Sequence, residues 1–153
     1  MRSLKILNQL DSYKNLNKQL EKYTKNKQTK LAGDIFELVV KLFLQTNPKY
    51  KTKLKNVWLL KEVNEKIKQR LNLPDEDEGI DLIAETFDKR YWAIQAKYRS
   101  NPKETLTLSG SGGLATFNSL AFNYCKNISH GLICTTVDKP PKKIRLLKSV
   151  GFE

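Results

Sequence analysis

The chain has 153 residues, enough for one domain with a proper core, and its 39% hydrophobic content excludes wholesale disorder. No apolar run is long enough to cross a bilayer: the longest, Ile35 to Leu44, is broken by Glu37 and Lys41, and the N-terminus has no secretory signal. The net charge of +12 is unevenly placed, with 17 Lys/Arg against 6 Asp/Glu in residues 1–70, 4 against 7 in 71–100, and 7 against 3 in 101–153. A basic body around one acidic segment suits a protein that holds a polyanion and gathers divalent cations at the contact.

In chain order, Leu4, Leu7, Leu10, Tyr13, Leu16, Leu20 and Tyr23 recur every three or four residues, so residues 1–28 hold an amphipathic basic helix with a polar break at its end. A second helix is expected over Thr29–Thr46, stopped before Pro48. Its buried stripe is read as Leu31, Ile35, Leu38, Val39, Leu42 and Phe43, widened by Phe36, Val40 and Leu44. Glu37 falls near that apolar face. Val57–Leu60 reads as a short strand and Glu62–Leu73 as a helix ended by Pro74. Ile80–Thr86 and Tyr91–Lys97 form a hairpin. Ser100–Gly113 is a Ser/Thr/Gly-rich loop. Leu114–Lys126 is a helix with Leu114, Phe117, Leu120, Ala121 and Tyr124 along one face. Gly131–Val137 is a further buried strand. After Pro140-Pro141 a basic segment containing Ile144, Leu146 and Leu147 reads as a short helix. The ending at Gly151-Phe152-Glu153, without a polar tail, suggests a fragment of a longer protein. The order is that of an α/β fold with a mixed central sheet flanked by helices.

Cys125 and Cys134 have no metal or redox spacing and read as buried small hydrophobes in a reducing cytoplasm. His130 is the sole histidine, which argues against a His-based metal site.

The chemistry concentrates in the hairpin. Asp81 sits in an apolar strand pattern, where a carboxylate is costly unless it is paired or binds metal. Gln95 and Lys97, two apart on the next strand, point to one face. A carboxylate, an amide oxygen and a lysine at the ends of paired strands are the parts of a magnesium-dependent phosphodiester-cutting site. Ligand oxygens would come from Asp81, Gln95 and the Ala96 backbone carbonyl. Lys97 would orient or deprotonate the attacking water, or neutralise charge on the phosphate. Tyr98, Arg99, Lys103, Ser109, Ser111 and the Gly110–Gly113 amides are candidate DNA-backbone contacts.

The series Asp81…Gln95-Ala96-Lys97 resembles the signature of PD-(D/E)xK nucleases, in the Mrr-like branch that writes Gln-x-Lys. Asp77-x-Gly79-Ile80-Asp81-Leu82 and Trp92-Ala93-Ile94-Gln95-Ala96-Lys97 resemble the N-terminal nuclease domain of type ISP restriction enzymes. Gly33-Asp34-Ile35-Phe36-Glu37 is a third matching element. The resemblance implies a restriction-endonuclease-like core over residues 29–153, with the N-terminal helix as an addition. It implies Glu37 in the acidic wall, Asp77 as a further ligand candidate, and Mg²⁺ as cofactor, with Mn²⁺ a substitute. It also implies double-stranded DNA as substrate, helicase and methyltransferase domains in the same polypeptide, and a transient dimer for double-strand cleavage. Gln95 departs from the commoner acidic residue and removes one negative charge, so metal should bind more weakly or as a single ion. The reading is a Mg²⁺-dependent DNA endonuclease domain of a restriction-modification enzyme. The alternatives are a non-cleaving DNA-binding module with a nuclease-like fold, or a structure-specific repair nuclease.

Overall fold

A computed structural model of the chain describes residues 13–25, 28–74, 79–101, 103, 104, 106, 114–137 and 150–152. Two helices come first, α1 over Tyr13–Lys25 and α2 over Thr29–Thr46. Leu20 and Tyr23 of α1 pack on Ala32 and Ile35 of α2. The expected start of α1, with Leu4, Leu7 and Leu10, lies outside the described residues.

Helix α2 stops where Pro48 requires. Asn47 turns to extended backbone, and its side chain accepts the Lys49 N–H at 3.0 Å to start the single turn α3, Pro48–Lys51. The buried face of α2 differs from the expected stripe. Ala32, Ile35, Phe36, Leu38, Val40 and Leu44 are buried, whereas Leu42 is 47% and Phe43 37% exposed. The sheet takes Phe36, Val40 and Leu44, spaced by four, and α1 takes Ala32 and Ile35. That rotates Leu42 and Phe43 towards solvent.

Strand β1 covers Leu54–Leu59, and Leu60–Glu62 forms a 3₁₀ turn rather than extending it. Helix α4 is shorter than expected, Glu65–Leu71, because Asn64 caps it by accepting the Ile67 N–H and Asn72 ends it in the left-handed region. The hairpin is present as β2, Leu82–Thr86, and β3, Tyr91–Lys97. In its turn, Thr86 Oγ1 accepts the Arg90 N–H at 2.9 Å and Lys89 takes a positive φ.

The third main helix begins as α5, Leu114–Ser119, then widens to a π turn over Leu120–Tyr124, closed by the Cys125 N–H on the Leu120 carbonyl. The extra residue per turn moves the buried face from Tyr124, which is 53% exposed, to Cys125. Strand β4 runs over Ile128–Thr135, three residues earlier than expected, pairing with the whole of β3. A three-residue strand β5, Val150–Phe152, adds parallel to β4 and was not anticipated from sequence. The short helix expected around Ile144 lies outside the described residues.

The five strands among the described residues lie in sequence order; β1–β2–β3 are antiparallel, and β3–β4–β5 parallel. This is the mixed, helix-flanked sheet expected. On one face, Ile83, Ala93 and Ile133 meet Leu71, Leu114, Phe117 and Ala121. On the other, Leu82, Ala84, Ile94 and Leu132 meet Phe36, Val40 and Leu44 of α2. No described helix is long and apolar enough to cross a membrane.

A polar clamp ties α2 to the end of β1. Glu62 accepts the Leu59 N–H at 2.8 Å and the Lys41 ammonium at 2.8 and 3.0 Å. Partial burial pushes the Glu62 pKa up, but the Lys41 and Leu59 hydrogen bonds and the charge of Lys41 outweigh it and hold the carboxyl below its ordinary range. A folded pKa below the unfolded one gives stability that is present above the ordinary carboxylate pKa and lost as pH falls through the folded value. Glu62→Gln should therefore lower stability by about 1 kcal/mol at neutral pH in urea unfolding, and the gap to wild type should close on acidification. A gap that does not change with pH would show that the carboxylate charge plays no part.

Candidate active site

Asp81 lies one residue before β2, yet its backbone continues the sheet. Its N–H donates to the Ile94 carbonyl at 2.9 Å, and its own carbonyl accepts the Leu60 N–H at 3.0 Å. Carrying the β2–β3 register on by one residue sets Asp81 opposite Gln95. The Asp81 side chain then does what a ladder carbonyl would do: Oδ2 accepts the Ala96 N–H at 2.8 Å. The carboxylate is thereby fixed against the Gln95-Ala96-Lys97 segment.

Gln95 is 3% exposed, flanked by the buried Ala93 and Ile94 and paired with Ile133 of β4. Among the described residues its buried Oε1 finds no hydrogen-bond donor, and Asn118 Oδ1 on α5 is the other such oxygen. Leaving a buried acceptor unpaired costs about 1–3 kcal/mol. Asp81 and Gln95 thus bring hard oxygen donors to one end of two adjacent strands, the donor type a magnesium ion takes. The residues fit such an ion through mixed donors rather than a carboxylate cage: no three His, Cys, Asp or Glu side chains cluster as a metal site among the described residues.

Lys97 closes β3 opposite Thr135. From there, residues Ala96 to Ser100 form one wall of a cleft of about 380 Å³. Thr24 of α1, Thr29 and Gly33 of α2, and Glu104 form the rest. Half-buried Glu37 stands one helical turn beyond Gly33 on α2. The Tyr98 ring packs 6.0 Å from that of Phe36, so it also belongs to the α2 interface. Arg99 is held on three sides. Its N–H donates to Thr136 Oγ1, and its guanidinium meets Glu104 at 3.1 Å and donates to the Tyr98 carbonyl. Lys103 is exposed on the loop, where its N–H donates to Asn101 Oδ1. Asp77, Ser109 and Ser111 lie outside the described residues. Thr24, Thr29 and Ser100 were not singled out from sequence, since no local pattern marks a residue that lines a cleft between distant segments.

Cys125 and His130 lie away from this end, whereas Cys134 stands opposite Ala96 on β4. Both cysteines are buried, as expected, and burial pushes the Cys125 thiol up to about 11. His130 pairs with Trp92 at the hairpin end of β3, and the two rings meet tilted by 59° with centroids 4.7 Å apart. Burial and nearby Lys53 hold the His130 pKa below the ordinary value. Two larger hollows, about 570 and 640 Å³, sit at that hairpin end, beside Lys53, Arg90 and His130 and beside Arg70 and Asn127, and neither includes Asp81, Gln95 or Lys97.

A search of curated proteins returns no match. Among solved structures, the chain is similar to the ATP-dependent type ISP restriction-modification enzyme LlaBIII bound to DNA, with a TM-score of 0.61 and 25% identity. That match covers 94% of this chain and 8% of the other, so the chain spans about a twelfth of that enzyme's length. A family model described as a restriction endonuclease, of the Mrr type, matches residues 45–145, from the end of α2 past β4. With the mixed sheet and the Asp81…Gln95-Ala96-Lys97 series at one end of it, the chain belongs to the Mrr-like restriction endonuclease family.

Proposed function

We propose that the chain is a Mg²⁺-dependent DNA endonuclease domain, the cleavage module of a restriction-modification enzyme. The observation that carries this reading is the buried, donorless Gln95 Oε1, one residue from the amide that holds Asp81 and two from Lys97. An apolar interior retains such an oxygen at a cost, and a cation is the partner that would offset it.

Asp81, Gln95 and the Ala96 carbonyl are the residues to hold the ion, with Glu37 and Asp77 completing the acidic wall. When bound, magnesium supplies positive charge at the scissile phosphate. The Ala96 N–H keeps the Asp81 carboxylate aimed. Lys97 holds or takes a proton at Nζ, orients the attacking water, or balances charge on the phosphate. Arg99, Lys103, Tyr98, Ser109 and Ser111 contact the DNA backbone, with Arg99 exchanging Glu104 for a phosphate. Double-stranded DNA is the substrate, and sequence recognition lies in other domains of the same polypeptide, together with a helicase and a methyltransferase. Two copies meet transiently to cut both strands.

Three outcomes are expected. In calorimetry, Mg²⁺ or Mn²⁺ binds the chain and Asp81→Ala abolishes the heat; metal binding that survives the substitution would remove Asp81 from the site. Duplex binding is weak, sequence-independent and steeply salt-sensitive, with a log–log slope of roughly −0.9 per phosphate contact. A flat salt response would contradict a phosphate-led interface. Lys97→Ala lowers cleavage by on the order of 10²-fold, with thermal stability and DNA affinity little changed, since it removes one of 28 positive side chains. The assay uses Mn²⁺ at high protein concentration. Equal cutting by wild type and variant removes the lysine from the chemistry, and cutting by neither favours a non-cleaving DNA-binding module.

A further inference from the structure

Gly33 has no conformational reason to be glycine. It is the fifth residue of the 18-residue helix α2, well inside the helix, where glycine is the least favourable residue after proline. Its backbone does not take a positive φ; among the described glycines only Gly79 does. Nor does close packing demand it. Among the described residues, a Cβ built at Gly33 meets no heavy atom within 4 Å beyond its two chain neighbours and the helix's own backbone. The tight contact between α1 and α2 is made by Ala32, buried next to it.

The open space beside Gly33 is the cleft that Lys97, Arg99, Thr24, Thr29 and Ser100 line. Among the described residues, its polar side chains are cationic or hydroxylic apart from Glu104, which is ion-paired with Arg99. Such a lining suits a phosphodiester backbone. One turn further along α2, on the same side of the helix, comes Glu37.

We infer that Gly33 is the position where the backbone of the bound DNA strand passes against α2, its missing side chain leaving room for a sugar-phosphate next to Lys97. This rests on the nuclease reading of the cleft and adds a positioning residue to it. Any side chain at this position occupies space the substrate needs, while the free protein has room for it. Stability and function should therefore move in opposite directions on substitution, which a purely structural glycine would not do.

The test measures thermal melting, fluorescence anisotropy with a labelled duplex at low salt, and cleavage in Mn²⁺, on the 153-residue chain and its variants. Gly33→Ala should raise Tm by roughly 2–4 °C, the return of helix propensity, and weaken DNA binding several-fold. Gly33→Leu should melt no lower than wild type and bind at least about 10-fold more weakly, from the steric block. Gln45→Leu, an exposed change at the far end of the same helix, should leave binding unchanged and so exclude a general effect of added apolar surface. If both Gly33 variants bind and cut like wild type, the assignment is overturned while the nuclease reading stands. If both melt well below wild type, glycine is needed by the fold and the assignment is likewise overturned. If wild type itself shows no salt-sensitive duplex binding, the nuclease reading falls and takes this inference with it.

Discussion

The hydrogen bond from the Ala96 amide to Asp81 Oδ2, 2.8 Å long, joins the two halves of the candidate site. It is possible because Asp81 stands one residue ahead of β2 while its backbone already pairs with Ile94 and Leu60. The sheet is thus continued for one step by a side chain instead of a carbonyl. A charged acceptor makes that step stronger than a neutral one. It holds the half-buried carboxylate against the Gln95-Ala96-Lys97 segment. An asparagine there keeps the shape but loses the charge, so position and ionisation of Asp81 are separable by substitution.

The rest of the fold can be understood as support for that step. Antiparallel pairing of β1 and β2 brings Leu60 to the Asp81 carbonyl. Parallel pairing of β3 with β4 buries Gln95 next to Ile133, and burial is what gives its oxygen a need for a partner. The crossover through α5 and the π turn supplies Phe117 and Ala121 to cover that face. On the opposite face, α2 carries Gly33 and Glu37 alongside the end of β3, and the Lys41–Glu62 clamp fixes its far half to the end of β1. The two ends of the sheet differ as a result. One gathers the carboxylate, the amide and Lys97. The other, the hairpin end, is closed by the Thr86–Arg90 turn and the tilted Trp92–His130 ring contact.

Gln95 in place of a carboxylate has an electrostatic meaning in this setting. Two carboxylates at this spacing with no cation between them would repel in a low-dielectric interior. An amide leaves that repulsion out and still offers an oxygen. The protein folds around the site at lower electrostatic cost, and in the proposed nuclease the same change would weaken the hold on a cation. At Gly33 likewise a residue of low helix propensity sits inside α2 beside open space.

Much of this was legible in the residues themselves. The 3.6-residue period and Pro48 set α2 at Thr29–Thr46, and alternation around Phe87–Arg90 set the hairpin with Asp81, Gln95 and Lys97 at its far ends. Those are local properties, carried by neighbours a few positions apart. The strand β5 is three residues long and exists through its pairing with Gly131, Leu132 and Ile133, so no pattern within Val150–Phe152 announces it. The exposure of Leu42, Phe43 and Tyr124 depends on which side of each helix the sheet and α1 occupy, and a π turn decides the last of them. Likewise the bond from Asp81 to Ala96 and the cleft shared by Thr24, Gly33 and Arg99 join segments far apart in the chain. Periodicity fixes which faces are apolar, but only long-range packing chooses what each face meets.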